Sequence, residues 1–259
     1  MNRAIQDMLD RYECRSAADY ENALREIFQE LALLGLWRGK FFEHAAFYGG
    51  TALRILHGMD RFSEDMDFSL LSPNAAFDFT PYCAFIEKEL QAWGFPVTVR
   101  VKEKDGSSAI ESAFLKADTY EQLLLVEAPA SIVGNLHRNR VLKIKVEVDT
   151  NPPPGFMTES KYLLQPIPFA VCSFNLPSML AGKMHALLFR KWANRVKGRD
   201  WYDWVWYAAR KVPVNLNHLS ARMRQTGQWT SEVPILESEL KQLLHDRVQE
   251  LDVNAARRD

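Results

Sequence analysis

Two aspartates one residue apart, Asp65 and Asp67, stand in the stretch RFSEDMDFSL. On an extended strand, residues i and i+2 leave the same face, so both carboxylates would point one way while Met66 and Phe68 anchor the other face in a core. Paired carboxylates repel unless a cation sits between them. A hard divalent ion such as Mg2+ is commonly held by one or two carboxylates together with substrate phosphates. Thirteen residues separate Asp65 from Gly49-Gly50-Thr51. Glycine lets backbone approach a ligand closely, and the first-turn N–H groups of a helix attract phosphate oxygens. Thr51 adds a hydroxyl donor at the same place. Taken singly, each motif has a plainer reading: a solvated polar face for the aspartates, an ordinary chain reversal for the glycines. Together they describe a cradle for a nucleoside triphosphate beside a pair of ligands for Mg2+, with Mn2+ as the alternative cation.

A third carboxylate would complete a two-metal site, in which paired ions clamp the attacking and leaving oxygens. Glu147 and Asp149 are the candidates. Glu147 lies deeper in its strand and is preferred; Asp149, just ahead of Asn151-Pro152, is the alternative and also suits a turn cap. Lys183 and Arg190, seven residues apart, share one helix face and offer positive charge to a leaving pyrophosphate. From Lys183 to Lys211 eight basic side chains face only two acids, Asp200 and Asp203. Asp200 has three readings: a base for an incoming hydroxyl, an orienting partner for Lys183 or Arg199, or a surface ion pair. Arg54 and Arg61 fall between the glycines and the aspartates. Arg54 is assigned with Gly49, Gly50 and Thr51 to nucleotide binding, and Arg61 either neutralises phosphate or ties down the acidic loop.

These residues need elements to hold them. Leu24, Ile27, Phe28, Leu31 and Leu34 repeat at helical spacing, with Asp19 as the expected cap and Gly35 as the expected stop. Ala45–Tyr48 reads as a strand, Gly49–Thr51 as a tight turn, and Ala52–Leu56 as a short helix. Met66–Leu70, Val97–Val101 and Arg140–Asp149 alternate as strands; Phe85–Trp93 reads as helix; 116–130 has no clear period. Five prolines between 151 and 168 read as an irregular connection. Beyond Phe174 the pattern is helical over Pro177–Lys191, Asp200–Arg210 and Pro234–Leu251, with both prolines suited to a first helical turn. Trp201, Trp204 and Val205 are expected to pack, and His57 and His185 to serve packing or surface roles. The expectation is an α+β chain: a core with a mixed sheet over residues 1–170, then a helical part over 171–259 that completes the cleft.

The composition narrows the class. A net charge of −1 gives no global steering toward nucleic acid, so a polyanion must be held by a local patch. The three cysteines, Cys14, Cys83 and Cys172, form no zinc spacing and no disulfide framework. The longest apolar run, Leu31–Trp37, is far short of the ~20 residues of a membrane span. The expected setting is cytoplasmic, with reduced thiols.

The segments FYGGTALRILHGMDRFSEDMDFSL, LKIKVEVDTNPP and LPSMLAGKMHALLFRKWANRVKGRDWYDWVWY together resemble the AbiEii/AbiGii toxin family of the polymerase-β-like minimal nucleotidyltransferases. The resemblance runs from about residue 40 to about residue 210. It implies a polymerase-β-like core and nucleotidyl transfer with pyrophosphate release. Asp65 and Asp67 would be metal ligands, Gly50 and Thr51 triphosphate contacts, Lys183 a phosphate contact, and Asp200 part of the last motif. It also implies a cognate antitoxin encoded alongside and an RNA acceptor, notably the 3′ end of tRNA. The third acid is not fixed by the resemblance.

Overall fold

The computed structural model describes residues 3–95, 97–101, 119–127, 141–190 and 197–258. Arg140, Lys191, Arg195 and both ends of the aperiodic 116–130 stretch lie outside them. The chain packs as two units, residues 1–152 with 160–173, and residues 153–159 with 174–259.

The first unit is built on a mixed sheet, as the alternating patterns require. Its strands are β1 (Ala45–Tyr48), β2 (Met66–Leu70), β3 (Val97–Val101), β4 (Thr119–Glu127), β5 (Val141–Asp149), β6 (Thr158–Leu163) and β7 (Phe169–Phe174), in the spatial order β3-β4-β5-β2-β1-β7-β6. β1 runs antiparallel to β2, while β2 runs parallel to β5. Leu142, Ile144, Val146 and Val148 of β5 are buried, and so are Met66 and Phe68 of β2. That apolar face makes the core: the stacked rings of Phe47 and Phe68 lie 5.0 Å apart across β1 and β2, and Phe41 meets Phe68 edge-on at 5.1 Å.

Helix α1 (Arg3–Leu9) packs on the long α2 (Ala17–Arg38), which in turn lies against α4 (Thr80–Ala92) and β5. The α2 cap is Ser16, not Asp19; Asp19 is the third helical residue and completes a capping box with Ser16. Gly35 does not stop the helix. A Cβ there would sit 2.8 Å from the Ile86 Cα, so the glycine lets α2 and α4 approach closely. The Gly-Gly-Thr stretch forms no separate turn, because α3 (Gly49–His57) begins at Gly49 itself. The proline-rich connection contains edge strand β6, and β7 follows it; neither was expected. Their patterns are short, and prolines bracket them.

The second unit is helical: α5 (Leu176–Phe189), α6 (Gly198–Ala209), α7 (Leu216–Gln225), α8 (Glu237–Gln249) and α9 (Val253–Arg258). Asn175 caps α5 by accepting from the Ser178 N–H at 3.1 Å, and Pro177 sits in the first turn as expected. Pro234 instead precedes α8, whose cap is Leu236. Helix α7 is short and amphipathic and had no counterpart in the sequence reading. Among the described residues no helix is long and apolar enough to cross a membrane.

Glu30, buried on α2, pairs with Arg11 at 3.1 Å. Burial pushes its carboxyl up from 4.5 to about 7, Arg11 offsetting only part of the desolvation. An acid whose folded pKa lies above its unfolded value stabilises the fold fully below about pH 4.5, and that contribution is lost as pH rises through about 7. Glu30→Gln is therefore expected to flatten the pH dependence. The wild-type advantage over the variant in urea unfolding should shrink by on the order of 2–3 kcal/mol across that window. Parallel pH curves would contradict the assignment.

Candidate active site

The register of β1 and β2 brings the two sequence motifs together. Tyr48, the last residue of β1, lies opposite Asp67, so the chain enters α3 beside the second aspartate. Gly49 has φ +83°, and a Cβ there would overlap Asp67 Oδ2; the carboxylate occupies the space a side chain would fill. Gly50 is similarly close to Ser63 Oγ and the Arg61 guanidinium, 2.9 and 3.0 Å from an added Cβ. At the cap position Tyr48 makes no side-chain capping bond to the first turn of α3. Small residues, a helix start without a side-chain cap, a carboxylate and a guanidinium thus converge on one point. Such helix starts present N–H donors and partial positive charge to anions.

Asp65 directly precedes β2 and Asp67 lies within it, both half-buried, with Met66 and Phe68 locked in the core between and beyond them. Thr51 is fully buried and donates its hydroxyl to the Asp65 carbonyl. Its hydroxyl, expected at a phosphate, here fixes the backbone of the loop that carries Asp65. Arg54 is likewise diverted. Its Nε donates to Glu26 Oε2 at 2.7 Å, and its Nη1 donates to the carbonyls of Met59 and Asp60, each at 2.9 Å. Its guanidinium lies 4.3 Å over the Phe62 ring. Arg54 therefore organises the 58–65 linker through its Nε and Nη1. Arg61, which donates to the Phe62 carbonyl at 3.1 Å, is the arginine beside Gly50.

The parallel pairing of β2 and β5 separates the two candidates for the third acid. Glu147 lies opposite Asp67, on the face away from buried Val146 and Val148, whereas Asp149 lies opposite Ser69. Asp149 accepts from the Asn151 N–H at 3.0 Å and caps the turn. Glu147 forms an ion pair with Lys145. Among the described residues no three His, Cys, Asp or Glu side chains converge as a metal cluster. The donors nevertheless fit Mg2+ or Mn2+. Asp65 and Asp67 supply hard oxygens, the missing Cβ of Gly49 leaves room for the Asp67 carboxylate, and such ions take their remaining ligands from phosphate and water.

Sequence reasoning missed the residues of α2 that hold this loop. Gln29, almost fully buried, donates its side-chain amide to the carbonyls of Ser63 and Glu64 at 3.0 and 3.1 Å. A signal was present: the apolar run beginning at Leu31 buries α2 on all sides, so polar residues on its preceding turns must find protein partners.

In the second unit, Lys183 of α5 bonds Asp200 at 2.7 Å and Asp203 at 2.8 Å. Asp200, Asp203 and Tyr207 share one face of α6, as i, i+3, i+7 spacing requires, and that face is buried. Burial would raise the Asp200 carboxyl, but Lys183, Lys197 and Arg190 outweigh it and hold the pKa below the usual range. In this structure Asp200 is thus held ionised against Lys183, the orienting-partner arrangement among its three readings. Burial, reinforced by Arg199, lowers Lys197 to about 8. Trp201 and Trp204 meet edge-on at 6.2 Å as packing predicts, whereas Val205 is exposed. Burial keeps His57 and His185 near 4 and neutral, and His185 bonds Thr226 at 2.8 Å.

A family model described as "Nucleotidyl transferase AbiEii toxin, Type IV TA system" matches residues 31–259 of the chain. No curated protein sequence matches it significantly. Among solved structures, the chain is similar to JHP933 from Helicobacter pylori, with 14% identity, 91% of this chain and 82% of that one covered, and a TM-score of 0.45. It is also similar to an antigenic nucleotidyltransferase-like protein from Paracoccidioides brasiliensis, with 15% identity, 89% and 91% covered, and a TM-score of 0.46.

The Gly49 geometry can be measured against a glycine that has the same backbone demand and no neighbour. Gly58 has φ +69° and open space where a Cβ would stand. Gly58→Ala should cost only the left-handed strain, about 1–2 kcal/mol. Gly49→Ala should cost about 1–3 kcal/mol more, because the Asp67 carboxylate must move. Denaturant unfolding of both variants checks this, and equal losses would contradict it.

Proposed function

Since the chain belongs to the AbiEii nucleotidyltransferase toxin family, we propose that it transfers a nucleotide from a nucleoside triphosphate to the 3′-hydroxyl of an RNA acceptor, with tRNA as the first candidate. The observation that carries this reading is the position of the Asp67 carboxylate in the missing-Cβ space of Gly49, beside a helix start without a side-chain cap. Triphosphate oxygens accept from the first-turn N–H groups of α3, and Arg61 adds positive charge beside Gly50. Asp65 and Asp67 hold Mg2+ or Mn2+, with Glu147 as the third carboxylate. When bound, the cation neutralises phosphate charge and lowers the repulsion met by an attacking oxygen. The acceptor hydroxyl attacks the α-phosphorus in line: the new O–P bond forms, the bond to the bridging oxygen breaks, and the hydroxyl proton is lost to solvent. Pyrophosphate leaves. Thr51, Gln29 and Arg54 keep the aspartates in place through the linker backbone. The family's type IV toxin–antitoxin description supports a cognate antitoxin as partner.

The experiment is incubation of the protein with each α-labelled nucleoside triphosphate, Mg2+ or Mn2+, and total tRNA. Label should enter RNA from at least one nucleotide, and Asp67→Asn should lower transfer by more than about 100-fold with the fold intact. Lys183→Met run in parallel tests the sequence-based assignment of that lysine to the reaction. Label entering a protein band instead would identify a protein hydroxyl as acceptor and overturn the RNA reading. Label in neither, with toxicity retained by Asp67→Asn, would favour a binding module over an enzyme.

A further inference from the structure

The eight residues 58–65 that join α3 to β2 have no regular secondary structure, yet they set the position of Asp65. Their carbonyls are held one after another. Arg54 takes those of Met59 and Asp60, Gln29 those of Ser63 and Glu64, and Thr51 that of Asp65. Arg54 can grip two successive carbonyls only if its guanidinium is fixed in direction, and the anchor for that is Glu26. Glu26 is buried and uses both carboxylate oxygens: Oε2 accepts from Arg54 Nε at 2.7 Å, and Oε1 accepts from the Tyr12 hydroxyl at 2.8 Å. The ring of contacts closes through aromatic faces. Phe62 lies under the Arg54 guanidinium at 4.3 Å and against the Tyr12 ring at 6.3 Å. The Tyr12 N–H donates to the Leu9 carbonyl of α1 at 2.9 Å, Ile5, Met8 and Leu9 of that helix are buried, and Arg11 pairs with Glu30 one turn along α2.

We propose that Glu26 is a positioning residue for the metal-binding aspartates, and that the N-terminal segment, through Tyr12, is the brace that aims it. The proposal rests on the reading of Asp65 and Asp67 as metal ligands. One feature favours this over simple core packing: the bonds are directional and charge-assisted, and they lead to backbone carbonyls of the aspartate-bearing linker, not to another apolar surface. Burial, and then the Glu26 charge, push the Tyr12 phenol far above its ordinary pKa, so it stays a hydrogen-bond donor throughout the working pH range.

The test uses the full chain with Tyr12→Phe, which removes one hydroxyl, and Glu26→Gln. Backbone amides of residues 59–65 should exchange with deuterium about tenfold faster or more in both variants, with the strands β2 and β5 unchanged. Mn2+ binding, followed by titration of the protein without nucleotide, should weaken about tenfold in both. In transfer assays kcat should fall while KM for the nucleotide changes less. Unchanged linker exchange in both folded variants, or equal quickening over the linker, β2 and β5, overturns the brace. Faster linker exchange in a protein whose wild type transfers no nucleotide keeps the brace and removes the enzymatic reading, so the two failures are distinguishable.

Discussion

An irregular segment that carries a ligand must have its backbone carbonyls satisfied in one conformation, or it will sample many. That constraint organises the first unit. Between α3 and β2 the chain has no ladder to bond, and side-chain donors from α2 and α3 take the place of one. Each donor must be buried to be directional, and each buried polar group must then have its own partner. Hence Arg54 needs Glu26, and Glu26 needs Tyr12. Two of the buried polar residues on α2, Glu26 and Gln29, thus serve a loop they do not belong to.

The other half of the geometry comes from what is absent. Gly49 accepts a positive φ and leaves the space that the Asp67 carboxylate fills, and α3 starts without a side-chain cap. Tyr48 provides no side-chain cap there, so the positive end of α3 lies beside the Asp67 carboxylate without a capping hydroxyl or amide from that residue. An acid pair alone would repel a polyphosphate. In the proposed reading, the start of α3, Arg61 and a divalent cation would together reverse the sign of that interaction.

Short-range periodicity made part of this legible in the sequence. Asp65 and Asp67 alternate with Met66 and Phe68, and that alternation gives the strand and its exposed face directly. Helical spacing likewise puts Asp200, Asp203 and Tyr207 on one face of α6, but that this is the buried face, with Val205 exposed, is known only from the packing. What could not be read depends on register and long-range contact. Depth in the strand already favours Glu147 and the following turn suits Asp149 as a cap, but that Glu147 lies opposite Asp67 and Asp149 opposite Ser69 is set only by the pairing of β5 with β2. Thr51 and Arg54 sit where phosphate contacts are expected, and nothing local reveals that their donors turn inward. Gly35 looks like a helix stop because its true reason, the backbone of α4, lies about fifty residues away in the chain.

The central claim is that a divalent ion and a triphosphate meet at Asp65, Asp67 and the first turn of α3. A crystal structure of the protein with Mn2+ and a non-hydrolysable nucleoside triphosphate analogue tests it most directly. Anomalous manganese density within about 2.5 Å of carboxylate oxygens of both aspartates, with phosphate oxygens on the Gly50 and Thr51 N–H groups, is the predicted result. Manganese bound elsewhere, or a triphosphate lying away from the start of α3, would contradict it.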